Sequence, residues 1–141
     1  MILTITGVCF VDRGRLLTVR KKNTKKFMLV GGKLDPGETA LEAAVREIRE
    51  EVGLERAPEQ LTLLGRFDEE AANEPGWRVS STIFTASDMT AAELAALHPR
   101  AEIAEIRWLD LAQPPPASLA PLLAKHVVPA LRNRSPVVTE G

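Results

Sequence analysis

Cysteine is nearly missing from this chain of 141 residues, net charge is nearly missing, and long apolar runs are missing altogether. The single Cys9 has no partner for an intrachain disulfide. Its neighbours Val8 and Phe10 place it in an apolar run, the setting of a buried, inert thiol. Lys and Arg total 18 against 19 Asp and Glu, so a formal charge of -1 gives no long-range pull toward a nucleic acid polymer or an anionic membrane. Recognition of phosphate would have to be local. No apolar run approaches the roughly 20 residues that span a bilayer, and the N-terminal "MILTITGVCFVDRGRLL" lacks the basic start and small-residue cleavage site of a signal peptide. The expectation is a cytoplasmic protein that binds neither membrane nor nucleic acid polymer.

What is present suits one globular domain: 45% hydrophobic and 26% charged residues, enough to bury a single core and too few residues for two ordinary domains. Ile2 to Val11 and Leu16 to Arg20 read as strands joined by a turn at Gly14. "KKNTKK" reads as a solvated basic loop. Phe27 to Val30 is too short for a helix and reads as a strand ending at Gly31 and Gly32. From Thr39 the pattern turns helical, with Leu41, Ala44, Val45, Ile48 and Val52 at three- and four-residue spacings and Gly53 as the C-terminal cap. Leu61 to Phe67 and Trp77 to Ala86 read as strands joined by the turn-rich "DEEAANEPG". Thr90 with Glu93 resembles a capping box before a short helix through Leu97. Ile103 to Leu109 reads as a further strand, and Leu119 to Leu131 as a helix bent at Pro129. Strand runs mixed with two good helices indicate α/β or α+β layering over a single domain, residues 1–133, with 134–141 as a frayed tail.

The helix that starts at Thr39 carries Glu47, Glu50 and Glu51 on or beside the flank of its apolar stripe. Like charges at such spacing destabilise a helix by about a few tenths of a kcal/mol per pair. Near the C-terminal end the macrodipole also opposes them. A solvated helix laced by pairs such as Arg46 with Glu50 is one reading, and a hard divalent cation held by carboxylate and carbonyl oxygens is the other. Two loop alternatives fail. A Walker A loop ending at Gly32-Lys33 would need Gly at Phe27 and Ser or Thr at Leu34, and "LDPGETALE" lacks the alternating Asp or Asn ligands of a calcium hand.

"GGKLDPGETALEAAVREIREEVGL" resembles the signature of the Nudix hydrolases, G-x5-E-x7-R-E-U-x-E-E-x-G-U with U aliphatic. Every fixed position is filled: Gly32, Glu38, Arg46, Glu47, Ile48, Glu50, Glu51, Gly53 and Leu54. The resemblance implies an α/β/α sandwich with a mixed central sheet and MutT-like hydrolysis of nucleoside diphosphates linked to a second group. It implies Mg²⁺ or Mn²⁺ on Glu47, Glu50 and Glu51, with a backbone carbonyl of Gly31 or Gly32. Arg46 would orient Glu47, Gly37 and Glu38 would shape the loop, and Gly53 would end the helix. Members commonly add one acidic group ahead of a strand ending in Trp. Glu102, before Trp108 in "AEIAEIRWLDL", takes that place, so either Glu47 or Glu102 is the expected proton acceptor. A nucleotide-sensing module without hydrolysis is the alternative reading, and the resemblance leaves room for a homodimer.

For the phosphates, Lys33 directly after the glycines and Arg20 on the preceding strand are the expected partners. Phe27, Trp77 and Phe84 are candidates to stack a base, although aromatics in strands usually belong to the core. His98 and His126 have no partner at metal-ligand spacing and receive no role. Substrate markers are scarce. The chain has no Tyr, the usual dinucleoside-polyphosphate mark, and no Pro near Ala71, where ADP-ribose members tend to carry one. Val30 stands where Pro is commonest, and no Asn precedes Asn133 in the last helix to read a purine edge. The expectation is a broad substrate profile.

Overall fold

The computed structural model describes residues 1–134, so residues 135–141 of the expected tail lie outside the described residues. The strands are β1 (Ile2–Cys9), β2 (Val11–Asp12), β3 (Arg15–Lys21), β4 (Val30–Lys33), β5 (Leu61–Glu70), β6 (Arg78–Ala86) and β7 (Ile103–Asp110). Helix α1 (Ala40–Val52) follows β4, α2 (Ala91–Ala96) follows β6, and α3 (Val128–Asn133) ends a helical segment over 121–133. No helix among the described residues is long and apolar enough to cross a membrane.

A mixed four-stranded sheet has the order β4-β1-β6-β5, with β1 antiparallel to β4 and parallel to β6. The mixed sheet expected at the centre is accompanied by a second, antiparallel sheet of order β2-β3-β7. The apolar run from Ile2 to Val11 serves both sheets, because the chain breaks at Phe10 and passes from β1 to β2. The turn after β2 has left-handed φ at both Arg13 and Gly14, 52° and 76°, a pattern that matches strand twist and closes a tight hairpin.

Successive side chains on a strand point to opposite faces, and the core divides accordingly. Val8, Leu17, Val30 and Phe84 join Ala44, Ile48 and Val52 of α1 in one cluster. Their neighbours Cys9, Leu16, Leu29 and Ile83 join Leu122, Leu123, Val127 and Leu131 of the C-terminal helix in the other. Helices therefore cover both faces. Cys9 is buried, and burial pushes its thiol up to about 12, so it is inert as read.

Helix α1 starts in a reciprocal capping box, Thr39 with Glu42, and ends at Gly53 in the left-handed conformation (φ 70°), whose N–H donates to the Arg49 carbonyl. The box at Thr90 and Glu93 likewise starts α2. The bend expected at Pro129 takes the form of a π-helical stretch just upstream, Leu123–Val127, where the Val128 N–H reaches back to the Leu123 carbonyl. Proline has no N–H, and its ring crowds the carbonyl four residues back, so a regular α-helical register cannot pass through that position.

One strand differs from the expectation. Phe27 to Val30 does not end at the glycine pair: β4 starts at Val30 and contains Gly31 and Gly32, whereas Phe27 and Met28 form isolated bridges to Leu119 and Val19. The reason is steric. Gly31 faces Gly7 across the β1–β4 ladder, and a Cβ there would collide with the Thr6 carbonyl oxygen, so glycine is what allows the two strands to pair.

Candidate active site

The inward face of α1 is not wholly apolar. Ala43, Glu47 and Glu51 follow one another at four-residue spacing and are buried, with Glu47 9% and Glu51 4% exposed, while Glu50 lies outside. This acidic ridge packs on β4, where the absence of side chains at Gly31 and Gly32 leaves room for it. A Cβ on Gly32 would stand 2.5 Å from Glu47 Oε2. The Gly31 N–H, on the open edge of β4, donates to Glu51 Oε1 at 3.1 Å.

These carboxyls resist ionisation. Burial raises Glu51 to about 8; the Gly31 N–H and the Lys21 ammonium, 4.0 Å from Oε2, oppose the shift, and Glu47 and Glu50 add to it. Burial also raises Glu47, against the pull of Arg46. Two buried carboxyls one helical turn apart thus form a site short of positive charge.

Arg46 organises the other side of the cluster. Its Nε and Nη2 donate to the two oxygens of Glu38 at 2.8 and 2.9 Å, and Nη2 also reaches the Lys33 carbonyl at 3.1 Å. Nη1 is left for Glu47 Oε2 at 3.2 Å and Glu50 Oε1 at 3.3 Å. These hydrogen bonds from Arg46, with a further one from the Asp35 N–H, hold Glu38 down to about 2. The turn that delivers Glu38 passes through Gly37 at φ 81°, and the Glu38 N–H donates to the Asp35 carbonyl at 2.9 Å.

Beside β4 from this ridge lies a cavity of about 260 Å³ that shares Gly31, Gly32 and Lys33 with it. Leu3, Ile5, Leu29 and Ile83 give it an apolar floor, Leu122 and Leu123 of the C-terminal helical segment close one side, and 70–74 close another. The glycines therefore stand between acidic oxygens and an apolar chamber large enough for a ring system.

The expected phosphate partners separate. Lys33 is exposed at the rim, 3.9 Å from Glu74 Oε2. Arg20 is turned elsewhere: its Nε pairs with Glu105 Oε1 at 3.3 Å and its Nη1 donates to the Thr24 carbonyl. Lys21, passed over in the sequence, lines the cavity and faces Glu51. Strand parity carried the signal, since Leu17, Val19 and Lys21 share one face of β3 and the first two pack under α1. Glu102 is exposed at the turn before β7, where its carbonyl accepts the Lys22 N–H at 2.8 Å; its carboxylate forms none of the ion pairs found among the described residues. Phe27 and Phe84 are buried in the core as the ordinary reading of strand aromatics has it, and Trp77 is half-buried. Trp108 packs against the cluster under α1. His126 stacks on Phe67 with its Nε2 3.6 Å from Glu69 Oε1, a packing role.

The donor chemistry suits a hard divalent cation: Glu47, Glu50 and Glu51 offer oxygen ligands, and the Glu51 carboxyl at about 8 marks a place where added positive charge is favourable. Among the described residues no three such side chains are drawn together into a ready ligand set. Glu50 is occupied by Arg46 and Glu51 by Lys21 and Gly31. A cation would have to draw Glu50 inward and displace the Lys21 ammonium.

Comparison with known proteins bears on this geometry. The NUDIX domain family model matches residues 2–131. An ADP-ribose pyrophosphatase of Methanocaldococcus jannaschii is 38% identical over 96 residues, covering 67% of this chain and 54% of the relative, so the chain spans about half the length of that curated relative. Among solved structures, a MutT NUDIX hydrolase from Burkholderia pseudomallei is 27% identical with a TM-score of 0.65, covering 94% of this chain and 97% of that one. The MutT protein from Methanosarcina mazei Go1 superposes with a TM-score of 0.72 at 19% identity, covering 94% and 96%, a likeness of fold.

Proposed function

The chain belongs to the NUDIX family, and from that premise we propose that it is a Mg²⁺-dependent hydrolase of nucleoside diphosphates linked to a second group, a nucleoside triphosphate or a small NDP conjugate. The observation that carries the proposal is the buried pair Glu47 and Glu51 set against Gly31 and Gly32, with an apolar cavity on the same strand. The cavity suits the base or another planar part of the substrate. Lys21 and Lys33 border it at the β4 end, where the diphosphate would meet both ammonium groups. Arg20, held by Glu105 and Thr24, keeps a supporting place at the end of β3.

Glu47, Glu50 and Glu51, with a Gly32 carbonyl, would hold the metal, and Glu102, at the turn before the strand that carries Trp108, would be the further ligand. Held there, a divalent ion would supply positive charge to the diphosphate oxygens and lower the pKa of a water molecule. Water attacks one phosphorus, the bridging P–O bond breaks, and a nucleoside monophosphate leaves with a phosphorylated remainder. We assign the proton acceptor to Glu47. In its favour are burial, which pushes its carboxyl above the ordinary range, and the Arg46 Nη1 that fixes its Oε2. Glu102 is exposed and its carboxylate is not anchored by a neighbour of the kind that holds Glu47. We place the activity in the cytoplasm, where a chain with one buried cysteine needs no disulfide.

The test is phosphorus NMR of a panel of nucleoside triphosphates, ADP-ribose and nucleoside diphosphate sugars incubated with the protein, Mg²⁺ and ¹⁸O-water. Turnover with label in a phosphate product is the expected result. Nucleotide binding with no turnover under any divalent ion would instead leave a sensing module.

A further inference from the structure

The cavity beside Gly31 and Gly32 has an uneven polar inventory. Its floor and sides are aliphatic, and the charged groups Lys21, Lys33, Glu70 and Glu74 also line it. One lining side chain, Asn73, is a carboxamide, which presents a donor and an acceptor side by side. Asn73 is half-buried, and its hydrogen bond within the protein is a long one from Nδ2 to the Met28 thioether sulfur at 3.9 Å. Sulfur is a weak acceptor, so the amide is positioned without being satisfied.

The loop that carries it is held on both flanks. The Ala71 N–H donates to the Trp77 carbonyl at 2.9 Å, the Trp77 N–H to the Glu74 carbonyl at 3.1 Å, and the Glu74 carboxylate faces Lys33 at 3.9 Å. The amide therefore sits on a hydrogen-bonded turn at the cavity wall, and its Oδ1 takes part in none of the hydrogen bonds found among the described residues. An apolar chamber alone distinguishes ring systems weakly, whereas a polar group made to pair with one edge is left unsatisfied by the wrong edge.

Resting on the nucleotide reading above, we infer that Asn73 is the specificity-determining residue of this site, reading the donor–acceptor edge of the substrate's nucleobase by exchanging the Met28 sulfur for it. The sequence offered no such residue in the last helix; the structure supplies one from the β5–β6 loop. One neutral hydrogen-bonding group gives modest discrimination, about tenfold, which keeps the overall profile broad.

The experiment measures kcat and KM for the four common ribonucleoside triphosphates with Mg²⁺, together with calorimetric binding of the four nucleoside monophosphates. The proteins are wild type, Asn73→Leu, Asn73→Ser and, as a control on the wall, Met28→Leu. Expected are a preferred base in the wild type by about tenfold, and collapse of that preference to within about twofold in both Asn73 variants. The loss should appear in KM and monophosphate affinity with kcat preserved, while Met28→Leu keeps the wild-type order of bases. Variants with unchanged melting temperature and wild-type ratios between bases overturn the role of Asn73 and leave the hydrolase reading standing. Base-selective binding that depends on Asn73 with no turnover overturns hydrolysis and leaves the Asn73 inference standing. No hydrolysis and no binding overturns both.

Discussion

Arg46 and Glu38 meet in a two-pronged ion pair, Nε to Oε2 at 2.8 Å and Nη2 to Oε1 at 2.9 Å, which leaves the third guanidinium nitrogen on Glu47 and Glu50. Arg46 is thereby a positioning residue. Arg46→Ala is expected to lower kcat by about tenfold or more with KM changed by less than about threefold, and Arg46→Lys should rescue little, because an ammonium cannot serve both prongs and the third contact. Steady-state kinetics decide it: a pure KM effect would make Arg46 a substrate contact instead.

Glu51→Gln, and more weakly Glu50→Gln, should lower divalent-ion affinity and turnover without loss of fold. A glutamine oxygen can still accept the Gly31 N–H, and at position 51 an uncharged amide replaces a carboxyl that burial already keeps largely protonated at neutral pH. Thermal melting in chelator should stay within a few degrees of wild type, while Mn²⁺ titration shows the weakened affinity. Variants that melt far lower yet turn over normally would make the ridge structural.

Glu51 also sets a pH signature. Its folded value of about 8 lies above the ordinary 4.5, so between those values the folded chain keeps a proton that the unfolded chain has released. Stability of the metal-free protein should therefore fall as pH rises through that window and level off above about 8, and Glu51→Gln should flatten the slope. Saturating Mg²⁺ should reverse the trend, since the ion requires the ionised carboxylate. Urea unfolding from pH 5 to 9, with and without Mg²⁺, is the measurement.

Lys21 and Arg20, adjacent in sequence, should separate in function. Lys21→Ala is expected to raise the KM for nucleotides severalfold, whereas Arg20→Ala, which breaks contacts to Glu105 and Thr24, should show mainly in stability, by about 1 kcal/mol or less for so exposed a pair. Kinetics and denaturation run on both variants would reveal the reverse assignment directly.

A further pair lies away from the site. Arg56, buried, donates to both oxygens of Glu93 at 2.8 Å and stacks over Phe10, tying α2 to the segment after α1. Glu93→Gln leaves that guanidinium without its counter-ion and should destabilise by about 3 kcal/mol. Arg56 holds Glu93 down to about 2, so the pair's contribution is present above pH 4.5 and is lost as pH falls toward 2. Acid unfolding of the two proteins tests this.

How much of this was legible in the sequence depends on range. Gly53 as a cap, Thr90 with Glu93, and the turn at Gly14 are set within a few residues, and each is found where local chemistry placed it. The start of β4 was not, because Gly31 and Gly32 read as breakers until β1 is seen to pass so near that no side chain fits. Arg20 looked suitable by residue type, yet which of two neighbouring cations faces α1 depends on the face that β3 turns to its partners. Asn73 was invisible for a similar reason: nothing in "AANEPG" says what lies beneath it.

The parallel pairing of β1 with β6 carries a consequence for biosynthesis. Ile2 aligns with Arg78 and Cys9 with Thr85, so the central seam of the mixed sheet joins β1 to a strand made much later. While the ribosome extends the chain, β1 can pair with β4 soon after Lys33 emerges, but its other edge, with Val8 and Cys9 in it, stays open until β6 arrives. Closing so long a loop is slow, and an open apolar edge invites pairing with foreign strands. Translation speed through the segment between α1 and β6 should therefore govern the yield of soluble protein more than the stability of the finished fold does.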